Sequence, residues 1–369
     1  MRSTPGVHWV FDFPHQGGGA RSSPRATRLA RPLLLDGTVF VRMRTGLLER
    51  DRDLLVGFDP LSGAERLSRD LGIIGGPVAD EEVVACDGAI LVPDRDTLHL
   101  IDTDGLALRW TFREQRLLRP SFSASRLAIA ESAGVIVAAG TQDRVLGISV
   151  RDGSLLWALP QPADAIVAGA DRVVLTSGDE VRCLDGLTGA LVWGFSCPDV
   201  IRCLAHRDGW ALLGCRDRHL YSIELDTGTV RHETPLTHAM GTFLCTDGSS
   251  AIVTSSDHQA AVELGSGRPL WWARFGSQAH PVLAGSAALV DDGQVLRCLD
   301  VATGAERWAV DVTDVVTFGD GRDRPSEIGP PLVTDQVVIV PTNGALIGLG
   351  PGGSPSWEPP GTSRLRPLP

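Results

Sequence analysis

The segment LDGLTGALVW, Leu184 to Trp193, returns in altered form as LDVATGAERW, Leu299 to Trp308. Each copy runs from an acidic residue through Thr and Gly to a tryptophan. With the acidic position as anchor, the phrase recurs along the chain. FDPLSGAERL has Asp59, IDTDGLALRW Asp102, ISVRDGSLLW Ser149 and LDGLTGALVW Asp185. IELDTGTVRH has Glu224, VELGSGRPLW Glu263, LDVATGAERW Asp300 and GLGPGGSPSW Leu349. The anchors stand 43, 47, 36, 39, 39, 37 and 49 residues apart, so one unit is built eight times. Glycine follows the anchor by four residues in seven copies; in the second it is Gly105, three residues on. The eighth residue after the anchor is Trp in six copies, Leu67 in the first and His232 in the fifth.

Upstream of each anchor lie further short apolar runs separated by turns. The fourth copy reads AIVAG, DR, VVLTSGDE, VRCLD, the LTG turn and ALVWGF. Four β-branched segments with Gly/Asp turns predict a four-stranded antiparallel meander. No stretch sustains a helical period. A period near 40 with four strands per unit predicts an all-β chain folded as an eight-bladed β-propeller. VHWVFDF, residues 7–13, supports closure, because Trp9 and Phe11 imitate Trp110–Phe112 and Trp193–Phe195. Residues 8–13 are therefore expected to supply the outer strand of the last blade. The whole chain reads as a single propeller domain, with irregular loops at 14–32 and 311–329. In the repeated phrase the anchor accepts backbone hydrogen bonds, Ser or Thr bonds the same turn, and Gly supplies positive φ. Trp then opens the outer strand and packs between blades, contributing about 2–3 kcal/mol by burial.

The series D-x-x-[ST]-G-x-x-x-W resembles the tryptophan-docking motif of eight-bladed pyrroloquinoline-quinone-type propellers. The best copies are Asp185, Thr188, Gly189, Trp193 and Asp300, Thr303, Gly304, Trp308, and the resemblance spans residues 8 to about 360. It implies the propeller fold. The family includes quinoprotein alcohol dehydrogenases, outer-membrane assembly lipoproteins and kinase-attached sensor domains, so it does not imply one role. The dehydrogenases carry adjacent cysteines and a metal held by Glu, Asn and Asp. This sequence has no Cys-Cys pair, and its single Asn, Asn343, lies in a hairpin turn. No quinone, metal or other cofactor is expected. The N-terminus shows neither an export signal nor a lipid-attachment cysteine, which sets the assembly-lipoprotein role aside and predicts a cytoplasmic protein.

The net charge of −11 argues against a nucleic-acid partner, which needs a basic stripe, and against anionic membranes. Seven scattered cysteines read as reduced thiols, mostly small core residues. All 34 basic residues are Arg, as expected of a GC-rich coding sequence such as an actinobacterium's. An arginine here is correspondingly weaker evidence of bidentate recognition.

Function is expected in the loops leading into each innermost strand, not in the repeated turns. Polar residues there include Arg31, Arg119, Asp164, Asp199, Arg202, His238, His280 and Glu327. His238, His280 and Glu327 come from the sixth, seventh and eighth units and suit proton transfer if they converge. Arg31, Arg119, Asp164 and Arg202 are the candidate ligand-binding residues. Two readings follow: a binding or scaffold propeller with a protein or small-molecule partner, and a cofactor-independent enzyme of specialised metabolism. In the second, Arg31 or Arg202 binds a carboxylate or stabilises an oxyanion.

Overall fold

The computed structural model describes residues 6–12, 31–45, 52–72, 83–94, 96–114, 117, 127–140, 143–207, 209–236, 241, 244–254, 258–275, 281–292, 294–312, 328–342 and 345–350. Through the described residues run short strands joined mostly by turns. Strand β1 is Gly6–Asp12. Blade 1 is β2 (Leu33–Leu35), β3 (Thr38–Thr45), β4 (Arg52–Phe58) and β5 (Glu65–Gly72). Blade 2 is β6 (Val84–Cys86), β7 (Ala89–Pro93), β8 (Thr97–Asp102) and β9 (Leu108–Arg113). Blade 3 is β10 (Leu127–Ala130), β11 (Val135–Ala139), β12 (Val145–Ser149) and β13 (Leu155–Leu159). Blade 4 is β14 (Ala165–Ala168), β15 (Arg172–Ser177), β16 (Glu180–Asp185) and β17 (Leu191–Ser196). Blade 5 is β18 (Ile201–Arg207), β19 (Trp210–Cys215), β20 (His219–Glu224) and β21 (Val230–Pro235). Blade 6 is β22 (Leu244–Thr246), β23 (Ser250–Thr254), β24 (His258–Glu263) and β25 (Arg268–Arg274). Blade 7 is β26 (Val282–Ala284), β27 (Ala287–Asp292), β28 (Val295–Asp300) and β29 (Glu306–Asp311). Blade 8 takes β30 (Leu332–Val333), β31 (Val338–Pro341) and β32 (Ala345–Gly350), and is completed by β1.

Each sheet is an antiparallel meander in chain order except the last, whose order is β1-β32-β31-β30. The fold is thus an eight-bladed β-propeller, as the repeat predicts. Residue 311, expected in a loop, is the last of β29. Near the other end of that loop, Ile328 bridges Thr342 and the Gly329 N–H donates to the Pro341 carbonyl at 2.8 Å.

The blades group into two compact units. One spans residues 1–74 and 275–369 and holds blades 7, 8 and 1; the other spans residues 75–274 and holds blades 2–6. In the second unit the first strands of blades 3 to 6 lie side by side, β10 by β14, β14 by β18 and β18 by β22.

The burial pattern explains the sequence pattern. The second strand of blade 3 lies between blades 2 and 4, so β11 (VIVAA) is buried at every position and shows no polar alternation; β7 (AILVP) is likewise buried throughout. An outer strand has one wet edge and alternates, as in β17, where Trp193 and Phe195 point inward. The core is correspondingly split into seams between adjacent sheets. One seam joins Ile136 and Ile148 of blade 3 to Leu91 and Leu100 of blade 2. Another joins Trp9 and Ile339 of blade 8 to Val41 and Phe58 of blade 1. All seven cysteines are free and six are buried. Burial pushes the thiols of Cys86, Cys183 and Cys203 up to about 12.

Candidate functional site

The repeated turn is a hydrogen-bonded unit. After β16, Asp185 Oδ1 accepts from the Thr188 backbone N–H at 2.9 Å and from its hydroxyl at 2.7 Å. The Asp185 N–H donates to the Ala190 carbonyl and the Gly189 N–H to the Asp185 carbonyl, both at 2.8 Å. Gly189 has φ +71°, which a side chain resists. Asp59 with Ser62 and Asp300 with Thr303 repeat the geometry; Glu224 and Glu263 accept from the hydroxyls of Thr227 and Ser266. These bonds hold the carboxylates below their ordinary range. Asp59, held first by the Ser62 N–H and then by Arg66, lies at about 2.

The tryptophans stitch blade to blade. Trp157 donates its indole N–H to the Gly186 carbonyl at 3.0 Å and lies flat on Gly189, where a Cβ would stand 2.8 Å from the ring. Trp110 reaches Val150 at 2.8 Å, Trp193 reaches Leu225 at 2.6 Å, and Trp9 reaches Pro60 at 2.9 Å. In its own blade Trp157 covers Gly147 and Trp9 covers Gly348, so glycine clears both sides of the ring. The eighth repeat's own Trp357 lies outside the described residues; Trp9 occupies the seat on blade 1. The fifth copy, with His232, has a different contact: the Thr234 hydroxyl donates to the Gly267 carbonyl at 2.8 Å.

One element escaped the sequence reading. In blades 1 to 7 the outer strand carries a β-bulge at the residue just before the tryptophan position. In four copies that residue is Arg, and the bulge turns it back onto the anchor. Arg66 meets Asp59 at 2.5 Å, Arg231 meets Glu224 at 3.1 Å, Arg307 meets Asp300 at 2.6 Å, and Arg109 pairs with Asp102. Arg66 and Arg307 also donate to carbonyls of the turn between the blade's first two strands, Gly37 at 3.0 Å and Ser286 at 2.8 Å. The signal was present in the phrases AERL, ALRW, TVRH and AERW.

Of the predicted site residues, His238, His280, Glu327 and Arg119 lie outside the described residues. Arg31, just before β2, and Arg202, second in β18, are exposed. Asp164, just before β14, is also exposed, but its Oδ2 accepts from the Gly178 N–H at 2.9 Å and so caps the β15–β16 turn. Asp199 accepts from the Val200 N–H at 2.7 Å. Asp199 thus shapes its own loop, whereas Asp164 ties its loop to the β15–β16 turn.

Two features adjoin these loops. A groove of about 260 Å³, open solvent included, is lined by Pro162, Leu175, Thr176, Ser177, Glu180 and Arg182. Arg182 spans it between Gln161 Oε1 and Glu180 Oε2, both at 2.7 Å. It is smaller than the roughly 300–1,000 Å³ of ordinary ligand pockets. In blade 5 the buried Tyr221 donates to Asp217 at 2.7 Å, with His219 between Asp217 at 3.6 Å and Glu233 at 3.9 Å. Burial first, and then these carboxylates, push the Tyr221 hydroxyl upward. Asp217 and His219 are partly buried around the tyrosine.

This arrangement defines a class: the eight-bladed propellers of the pyrroloquinoline-quinone-like repeat. Within it, the family model described as outer membrane protein assembly factor BamB matches residues 15–166 and 256–363, and the chain belongs to that family. No curated protein matches the sequence. Among solved structures, the crystal structure of BamB from Moraxella catarrhalis shares 15% identity, with a TM-score of 0.64 over 94% of this chain and 99% of that one. The computationally designed Ika8 protein shares 15% identity, with a TM-score of 0.67 over 89% and 96%. The sequence lacks the vicinal cysteines of the quinone-dependent dehydrogenases, and among the described residues no group of three or more His, Cys, Asp or Glu is placed to hold a metal.

Proposed function

We propose that the protein is a cytosolic binding propeller that engages a protein partner through the loops leading into its innermost strands. The observation that carries this reading is a division of labour. The repeated carboxylates are consumed in turns and ion pairs, whereas the exposed residues at the start of the innermost strands are unlike, Arg31 in blade 1, Asp164 in blade 4 and Arg202 in blade 5. A rigid frame with unlike side chains on one set of loops favours recognition of a broad surface. The described groove, shallow and bridged by Arg182, gives a small substrate little enclosure. Six core cysteines support a reducing compartment.

The test is native mass spectrometry of the protein purified from its own host, under gentle and denaturing conditions. A stoichiometric protein complex that dissociates in the double variant R31E/R202E supports the proposal. A small molecule lost on denaturation, together with a turnover abolished by H238A or H280A, would replace it with the enzyme reading.

A further inference from the structure

Blades 3, 4 and 6 carry no Arg at the bulge; in blade 6 the residue is Leu270, which is partly buried. In blades 3 and 4 the Arg of blades 1, 2, 5 and 7 is replaced by Leu156 and Val192, 44% and 40% exposed. The residue before each is also leucine, Leu155 at 47% and Leu191 at 63% exposed, and Leu187 in the intervening turn is 57% exposed. Arginine was freely available to this sequence and fits the position four times over, so Leu156 and Val192 are a departure that the frame does not require, and with Leu155, Leu187 and Leu191 they put five exposed aliphatic side chains on two successive blades.

These side chains stand on, or directly follow, turns of the two blades that are bonded together. The Val150 N–H donates to the Gly134 carbonyl at 2.9 Å, Ser132 to Ala170 at 2.7 Å, and Gly186 to Asp171 at 2.8 Å. Trp157, next to Leu156, lies on the turn that holds Leu187. The charges on these turns are Glu131, Asp152, Asp171 and Asp185 against Arg151 and Arg172. Arg172 is shared between Asp171 at 2.9 Å and Asp185 at 3.4 Å, which leaves the apolar patch with an acidic border. The chain as a whole carries −11 and repels an acidic partner.

We propose that the rim of blades 3 and 4 docks a partner segment presenting leucine-like side chains among Arg or Lys residues. The apolar groups cover Leu155, Leu156, Leu187, Leu191 and Val192, and the basic groups meet the acidic border. This rests on the reading of the protein as a binding propeller, but it uses a surface apart from Arg31 and Arg202.

The experiment measures fluorescence anisotropy of three labelled peptides of equal length: alternating Leu/Arg, Leu/Glu and Ser/Arg. Each is titrated with wild type, with L156R/V192R and with R31E/R202E. The L156R/V192R variant restores the residue that four other blades already accommodate, and an unchanged Tm verifies its fold. Expected are saturable binding of the Leu/Arg peptide, at least tenfold weaker binding of the other two, and at least a tenfold loss in L156R/V192R with none in R31E/R202E. Equal binding to L156R/V192R, absence of saturation, or equal binding of the Leu/Glu peptide would overturn the proposal. So would a wild-type dimer in sedimentation that dissociates in L156R/V192R, since the patch would then serve a second copy. Failure of the lead-in reading appears separately, as a native complex insensitive to R31E/R202E.

Discussion

Gly189 and Gly178 share a left-handed backbone and differ in what stands over them. At Gly178, φ +62°, a Cβ would meet nothing within 4 Å; at Gly189 it would press on the Trp157 ring. Gly178→Ala is expected to cost about 1 kcal/mol from backbone strain alone. Gly189→Ala adds a displaced indole and is expected to cost about 2–4 kcal/mol in urea denaturation. Equal losses would show that the ring is not seated on the turn. The buried pair of Arg42 and Asp53, with the Arg42 Nη2 at 2.6 Å, makes a second contrast. Arg42→Met removes the guanidinium beside a buried carboxylate and should cost about 3–5 kcal/mol, whereas the double change R42M/D53L should recover most of that loss. The anchor glycines were legible in the sequence through their spacing. The ion pair was not, because Arg42 and Asp53 sit on strands β3 and β4 without a repeated counterpart in the phrase.

The turn that follows the third strand of a blade is held by a carboxylate, and this gives the fold an acid limit. Asp59 is held at about 2, and Asp185, Asp300, Glu224 and Glu263 are also lowered. A depressed folded value means that the unfolded chain takes up protons first as pH falls. The contribution is complete above the ordinary carboxylate value of about 4 and is lost as pH falls towards about 2. Unfolding followed by circular dichroism should therefore show stability declining across that window. The triple variant D59N/D185N/D300N should decline less, from a lower starting level. The turn was readable from the sequence because Asp, Ser/Thr and Gly lie within five residues of one another. The bulge beside it was hidden, although its Arg recurred, because a bulge is a relation between two strands and leaves no mark on the alternation of one. The lead-in sites were harder still. Nothing in the type of Asp164 announces that its carboxylate is spoken for by an N–H fourteen positions along.

At the scale of the molecule, the telling feature is that blade 8 draws on both ends of the chain. β1 pairs antiparallel with β32, matching Val10 with Ile347 and Phe11 with Leu346. Phe11 also meets Phe58 of blade 1 edge to face, with centroids 4.7 Å apart. Removal of residues 1–12 is expected to expose the β32 edge and forfeit the Trp9 burial, about 3–5 kcal/mol, seen as a lowered Tm. A synthetic GVHWVFD peptide should restore the Tm, and the same peptide with alanine for Trp9 should not. The sequence disclosed this closure because VHWVFDF repeats the outer-strand pattern of Trp110–Phe112 and Trp193–Phe195.

The pairing of β1 with β32 also sets an order of events at the ribosome. β1 is made before β32, and more than three hundred residues separate them. At about 5–20 residues per second, β1 waits roughly 17–70 s for its partner. Through that interval its tryptophan and phenylalanine have no seat in a finished blade 8. A nascent chain of this protein therefore carries a strand without its neighbour through that interval, and chaperone demand should peak there.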